Sequence, residues 1–207
     1  MQLFFLVLLI FFESLALANE FNSYVEKASD RKSGMNIRWN SLLRAAEIAS
    51  ETASEDQIRQ IIKFVNSNEW YMRNAALISL VKINPQRALT QAKKLLNDKA
   101  LVVRSAAVEV VAQNLTPEHK KVLASELHKS YNFNKKSSLW IRKQIIEKLS
   151  LAAGIQDRDI FIKNLFDTDN DVSQISAKTL EKITGQVVNE VKYVEKWRAI
   201  VKQNNWL

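Results

Sequence analysis

Large apolar residues recur along most of the chain at spacings of three and four residues, which is the pattern of an amphipathic helix. The clearest stretch begins at Met72 and continues with Ala75, Ala76 and Leu80 at offsets of 3, 4 and 8 residues. A helix has about 3.6 residues per turn, so these side chains share one face. We therefore predict a helix whose apolar face is buried against a partner helix.

The same arrangement returns 31 residues later at Val103, and in both copies an arginine follows the first apolar residue. Weaker copies begin at Ile37, Ile141 and Val172, and the last has Ser173 in place of the arginine. Self-similarity at a near-constant spacing of this length is typical of repeat proteins. We predict about five copies, each forming the second helix of an antiparallel helix pair.

Helix-start signals precede three of these second helices and indicate where their partner helices begin. They are Ser54 with Gln57 as a capping box, Asn84 before Pro85, and Thr116 before Pro117. An apolar stripe over residues 160–166 indicates a further partner helix, and Gly154 has the position of a helix C-cap. The predicted fold is all-α, a superhelical α-solenoid with no sheet.

The skeleton of apolar residue, arginine, paired alanines and closing leucine resembles HEAT repeats of the short bacterial kind, related to phycobilisome-lyase-type repeats. The turn that ends at Gly185 and the later Trp197 are similar to the closing segment of exported bacterial HEAT-repeat proteins. The resemblance covers residues 35–203. It implies a solenoid of about five HEAT-like helix pairs that binds other macromolecules, with the repeats at 35–185 and capping helices at 19–34 and 186–207.

The first 18 residues have the pattern of a secretory signal peptide. Residues 3–12 are an unbroken apolar run, too short to cross a bilayer, and Ala16, Leu17 and Ala18 form a small-x-small cleavage pattern. We expect cleavage near Ala18 and a periplasmic or secreted mature protein. The alternatives are an uncleaved anchor and a buried first helix.

Composition narrows the function classes further. Three glycines and two prolines are too few for the turns of a large sheet fold, and the chain has no cysteine for thiol chemistry. The two histidines, His119 and His128, lie nine residues apart on one predicted helix and face opposite sides. No catalytic or nucleotide-binding motif appears, so we expect no catalytic residue, cofactor, metal or small-molecule substrate.

Positions at offsets of 2 and 6 residues in each copy face away from the buried stripe. We expect them to form the surface that binds a partner. The candidates are Trp39, Asn74, Ile78, Glu109, Lys143, Glu147 and Lys178. The alternative for the apolar candidates is that residues 21–29 cover them as an N-terminal cap. Three tryptophans lie near the starts of second helices: Trp39, Trp70 and Trp140. Tryptophan is as common in packing between repeats as in binding interfaces, and packing is the role we expect for most of them.

An irregular insertion, residues 131–138, separates the third and fourth copies by 38 residues instead of 31. It interleaves Tyr131 and Phe133 with Lys135 and Lys136, a combination that can contact acidic partners or nucleic acid. We expect these four residues to join the partner-binding surface. The alternative is a solvated turn whose aromatic side chains pack on a neighbouring helix.

The arginines of the copies, Arg38, Arg73, Arg104 and Arg142, have two interpretations. In HEAT-like repeats this position usually reaches an acidic or carbonyl group in a neighbouring repeat, and Asp98 and Asp169 are placed to supply such groups. We favour this structural role. The alternative is a ladder of anion-binding sites.

The HEAT-like pattern, the export signal and the missing active-site motifs together predict an exported, non-catalytic scaffold that binds a protein or peptide. The alternative is a basic HEAT-like nucleic-acid-binding or DNA-repair protein, which the net charge of +8 would suit. The signal peptide opposes that alternative, so we do not expect a nucleic-acid partner. The repeat subtype also suggests a chromophore-lyase accessory, and the positive charge suggests peripheral contact with anionic envelope surfaces.

Overall fold

The computed structural model describes residues 2–52, 54–189 and 191–206, and side chains from residue 15 onward. These residues form eleven α-helices, three short 3-10 turns (Phe64–Asn66, Ser130–Asn132 and Ile155–Asp157) and a two-stranded hairpin. The prediction of an all-α protein is confirmed. The helices are α1 (Gln2–Ser29), α2 (Met35–Thr52), α3 (Glu55–Lys63), α4 (Trp70–Ile83), α5 (Pro85–Leu95), α6 (Leu101–Ala112), α7 (Pro117–Glu126), α8 (Trp140–Leu151), α9 (Arg158–Leu165), α10 (Asn170–Thr184) and α11 (Tyr193–Gln203).

The predicted absence of a sheet is wrong at one place, the insertion. Strands β1 (Phe133–Asn134) and β2 (Ser137–Ser138) pair antiparallel, with Phe133 opposite Ser138. Lys135 at the tip has a φ of 57°, the left-handed conformation that lets such a short turn close. Two-residue strands leave no hydrophobic periodicity, so the apolar pattern could not indicate them.

Two of the three predicted N-caps form. The Asn84 side chain accepts the Arg87 amide at 3.0 Å, and the Thr116 hydroxyl accepts the His119 amide at 3.2 Å. The Ser54 capping box is wrong, because the Gln57 side chain bonds the Thr52 hydroxyl instead.

The predicted C-cap at Gly154 is also wrong. Helix α8 ends at Leu151, and Gly154 is an extended residue that leads into the 3-10 turn at Ile155–Asp157. The left-handed C-cap lies instead at Gly185, whose φ of 72° ends α10.

The chain divides into two compact units, Met1–Val110 and Val111–Leu207. In the first unit the later part of α1 packs on α2, and α2 packs on α4. The predicted stripe of α4 is fully buried at Met72, Ala75, Ala76 and Leu80. That face of the helix is confirmed.

The predicted register of α2 is wrong at its start. Ile37 is 56% exposed, whereas the next residue, Arg38, is buried. Arg38 turns inward because its Nε donates to the Ala28 carbonyl at the end of α1, at 2.9 Å. This rotates the first turn of α2, so that its buried face continues through Leu42 and Ala45.

In the second unit α8 packs on α7 and α10, and α10 also packs on α9 and α11. The core includes Ile141, Ile145 and Leu149 of α8, Leu180 of α10 and the fully buried Trp197 of α11. Among the described residues, no helix is both long enough and apolar enough to span a membrane.

Candidate functional site

The buried arginines hold neighbouring turns together. Arg73 donates two hydrogen bonds of 2.6 Å to the Asp98 carboxylate, from Nε and Nη2. Its Nη1 donates to the carbonyls of Ser67 and Asn68. Burial alone would raise the pKa of Asp98. The hydrogen bonds from Arg73 and the Ala100 amide outweigh burial, so this pKa lies below its ordinary value.

Arg142 forms a second such centre. Its Nε donates to the Leu127 carbonyl at 2.6 Å, its Nη1 and Nη2 bind the two oxygens of Asp167, and its guanidinium lies 4.3 Å from the centre of the Phe133 ring. Asp169, the predicted partner, is farther away at 3.9 Å. The structural role predicted for these arginines is confirmed for Arg73 and Arg142, with Asp167 rather than Asp169 as the nearer carboxylate.

The insertion is anchored by its aromatic end. The Tyr131 hydroxyl donates to the Glu126 carboxylate, and the buried Asn132 side chain donates to the Glu126 carbonyl at 2.8 Å. Phe133 lies against Arg142, so both aromatic candidates pack within the second unit. Lys135 and Lys136 are exposed at the hairpin tip. The insertion therefore offers a partner mainly its two lysines.

The predicted outward positions divide into three groups. Ile78, Glu109, Lys143, Glu147 and Lys178 are exposed. Trp39 is half-buried, and so is Leu43 one turn later; both lie on α2, the helix that α1 covers. The prediction for Asn74 is wrong: it is buried, because α4 is enclosed on nearly all sides, as its continuous buried run from Met72 to Leu77 shows.

The tryptophans also divide. Trp197 is fully buried, as expected for a packing residue. Trp70 and Trp140 are the first residues of α4 and α8, and they are 44% and 54% exposed. The expected packing role therefore fits Trp197 and not these two residues.

A groove in the second unit brings several exposed residues together. We call it the C-terminal groove; it has a volume of about 820 Å³ and lies between the turn after α9, the outer face of α10 and the beginning of α11. Its lining residues are Phe166, Asp167, Thr168, Asn170, Ser173, Gln174, Lys178, Val191, Tyr193, Val194, Glu195, Arg198 and Lys202. Lys178 is one of the sequence-predicted residues, and Gln174 occupies the matching outward position one turn earlier.

Cationic and aromatic groups meet at one wall of this groove. The Arg198 guanidinium and the Lys202 ammonium lie 5.8 and 5.9 Å from the centre of the partly exposed Phe166 ring. Arg198 is held in place because its Nε donates to the Leu165 carbonyl at 3.0 Å. The Asp167 carboxylate is occupied by Arg142, so its charge is largely neutralised within the protein.

The other wall is fixed by a carboxylate in α10. Glu181 accepts hydrogen bonds from the Tyr193 hydroxyl at 2.8 Å and from the Val188 amide at 3.2 Å. Burial, together with the bond to Glu181, raises the pKa of Tyr193 to about 12. This contact ties the segment between α10 and α11 to the body of the unit, while Val187 and Val191 remain exposed.

A buried ion pair in the same unit escaped sequence analysis. Lys120 and Lys121 are adjacent lysines, a pattern that usually indicates a solvated helix face, yet Lys120 donates to the Asp157 carboxylate at 2.6 Å and to the Ala152 carbonyl at 2.8 Å. The sequence signal that could have indicated this pair is Asp157, an acidic residue immediately before helix α9. His119 is buried and contacts the Asn114 carbonyl, whereas His128 is exposed, so the two point in different directions.

In the described part of the chain, no group of three or more His, Cys, Asp or Glu side chains is placed to hold a metal ion. The chain matches no protein-family model, and no curated protein is similar enough in sequence to count as a match. The C-terminal groove and the residue patterns are therefore the features of the molecule that bear on its function.

Proposed function

We propose that this protein is an exported, non-catalytic scaffold whose HEAT-like helix pairs form an α-solenoid and which binds an extended segment of a partner protein. The observation that carries the proposal is the C-terminal groove. Its lining by residues of α10 and α11, its exposed apolar residues and its cations suit a peptide that has both apolar and acidic side chains.

The charges of the groove favour a peptide over a nucleic acid. Lys178, Arg198 and Lys202 supply positive charge, but Glu195 adds an exposed carboxylate beside them. A phosphate backbone, with one charge per nucleotide, is best matched by a continuous basic surface. A peptide with alternating acidic and neutral residues fits the mixed lining better.

The test is selection of peptides from a random displayed library on the purified protein, followed by affinity measurement with fluorescent peptides. We expect the selected sequences to combine acidic and large apolar residues. Lys178→Glu/Lys202→Glu should weaken their binding at least tenfold, because both changes reverse charge in the groove. The matched control is Lys121→Glu/Lys129→Glu, which makes the same charge change at exposed residues of the same unit outside the groove.

Equal binding by both double variants would contradict the groove as the binding site. Retention of the protein on double-stranded DNA at physiological salt, reduced by Lys178→Glu/Lys202→Glu but not by the control, would favour the nucleic-acid alternative instead. The proposal of export is tested separately, by N-terminal sequencing of the protein from its host, where we expect the chain to begin at Asn19.

A further inference from the structure

A second pocket lies in the first unit, and it shares no lining residue with the C-terminal groove. It has a volume of about 520 Å³ and is formed by the end of α1, the end of α3 and the turn before α4. Three cationic side chains line it: Arg31, Arg38 and Lys63. Arg31 and Lys63 are exposed, whereas the Arg38 side chain is only 5% exposed. The pocket thus has one buried cation, which we place at its base, and two exposed cations, which we place at its rim.

The guanidinium of Arg38 is less completely bonded than those of Arg73 and Arg142. Its Nε donates to the Ala28 carbonyl, and its Nη1 donates to Glu69 at 2.7 Å and to the Tyr71 hydroxyl at 2.8 Å. For Nη2 the described residues supply no acceptor. In Arg73 and Arg142, by contrast, Nη2 binds an aspartate oxygen.

Glu69 does not neutralise the whole pocket. Its Oε1 accepts from both Arg38 and Tyr71, and these contacts commit its one negative charge to Arg38. Among the lining side chains the charges of Arg31 and Lys63 remain. The Asp30 carboxylate also interacts electrostatically with Arg38 and offsets one of them, which leaves an excess of one positive charge. The Ser67 hydroxyl accepts the Glu69 amide at 3.2 Å and keeps its own hydrogen for donation. The pocket therefore combines net positive charge with polar donors.

We propose that this pocket binds a carboxylate, which accepts from Nη2 of Arg38 at the base and is surrounded by Arg31 and Lys63. A guanidinium N–H without another acceptor suits this ligand, because its hydrogen bond to a carboxylate is charge-assisted and stronger than a bond between neutral groups. The position that the ligand oxygen would take on Nη2 is the one that the Asp167 carboxylate takes on Arg142. A dicarboxylate such as succinate could place its second charge at the rim, between the two exposed cations.

The test is a titration of the labelled protein with succinate, followed by two-dimensional NMR at constant ionic strength. We expect saturable shifts of the Ser67 and Asn68 amides and of the Arg38 Nε–H signal. Arg31→Gln/Lys63→Gln should weaken binding at least tenfold, since both rim cations are lost. The matched control is Lys82→Gln/Lys94→Gln, which removes two exposed charges of the same unit away from the pocket.

Absence of saturable shifts, or equal affinity in the two double variants, would overturn the proposal. Tighter binding of inorganic phosphate than of succinate would overturn the assignment to a carboxylate. The carboxylate could belong to a protein chain or to a free small acid, and an end-capped peptide with two adjacent aspartates distinguishes these sources. Shifts of the same NMR signals with this peptide indicate a protein chain. Absence of those shifts indicates a free small acid. Peptides selected on the C-terminal groove should bind Arg31→Gln/Lys63→Gln normally, so the two proposals fail independently.

Discussion

Arg142 and Arg38 each follow the first apolar residue of a copy of the sequence pattern, yet the contacts of Arg142 form a closed centre and those of Arg38 an open one. The Arg142 side chain is 1% exposed and its carboxylate partner, Asp167, is 11% exposed. Arg38 is nearly as buried, but its partner Glu69 is 36% exposed. The short aspartate of a tight turn can enclose a guanidinium, whereas the longer glutamate at the start of α4 leaves one edge accessible. The same sequence signal therefore gives a fully enclosed guanidinium in the second unit and one with an accessible edge in the first.

The largest expected effect comes from breaking the closed centre. Arg142→Met should lower the free energy of unfolding by about 3–5 kcal/mol, because it leaves a buried carboxylate and the Leu127 carbonyl without their donor. The measurement is urea denaturation followed by circular dichroism. As a control, Lys143→Met removes an exposed ion pair with Asp171 and should cost less than about 1 kcal/mol. Similar losses in both variants would contradict the closed arrangement.

Lys120 is a second enclosed cation, and it tests whether burial or the type of residue determines how much stability is lost when the cation is removed. Lys120→Met should lower the free energy of unfolding by about 2–3 kcal/mol, since Asp157 loses its charged partner in a buried setting. Its neighbour Lys121 is exposed, and Lys121→Met should change the same quantity by less than about 0.5 kcal/mol. If the two variants unfolded at the same urea concentration, Lys120 would not be an internal ion-pair partner.

The open centre should be less costly to break. Arg38→Met should lower the free energy of unfolding by about 1–2 kcal/mol, because water can reach the Glu69 carboxylate that it leaves behind. The same urea experiment measures the change. A loss as large as that of Arg142→Met would mean that Glu69 is enclosed after all.

The smallest expected effect is on the pH dependence of the free energy of unfolding, which should differ between an enclosed carboxylate and an exposed one. Asp98 and Glu69 both have a pKa below the ordinary value, Asp98 although burial opposes the shift and Glu69 chiefly through its bond from Arg38. Their contribution to stability is therefore present above about pH 4, near the unfolded pKa, and is lost as the pH falls through the folded pKa. Between pH 5 and 3, Asp98→Asn should flatten the decline in stability more than Glu69→Gln, because Glu69 is more exposed. The reverse order would contradict the comparison.

Sequence periodicity predicted the helices well because it records burial along a single element. The stripe from Met72 to Leu80 and the caps at Asn84 and Thr116 are all local signals, and the structure contains them. The register of α2 failed since it depends on a distant atom, the Ala28 carbonyl, to which Arg38 turns.

The candidate sites were less predictable for the same physical reason. Lys178 was found because an outward helix position is a local property. The C-terminal groove also needs Phe166 at the end of α9 and Arg198 and Lys202 of α11, so its residues come together only when three separate segments meet. Lys120 looked like a surface residue because nothing in its own helix indicates that Asp157 lies within reach. Pairs of residues that lie far apart in sequence can be recognised only from the fold itself.

The turn at Asp98 connects helices α4 and α6 and should make them unfold locally together. Its carboxylate holds Arg73 of α4, while its backbone carbonyl accepts from Arg104 of α6 at 2.6 Å. Asp98 thus links two non-consecutive helices to a single turn. If either helix separated from this turn alone, a buried guanidinium would lose a hydrogen-bond acceptor. Amide hydrogen exchange in α4 and α6 should therefore proceed through a common opening event, so that these helices behave as one cooperative block rather than as independently fraying pieces.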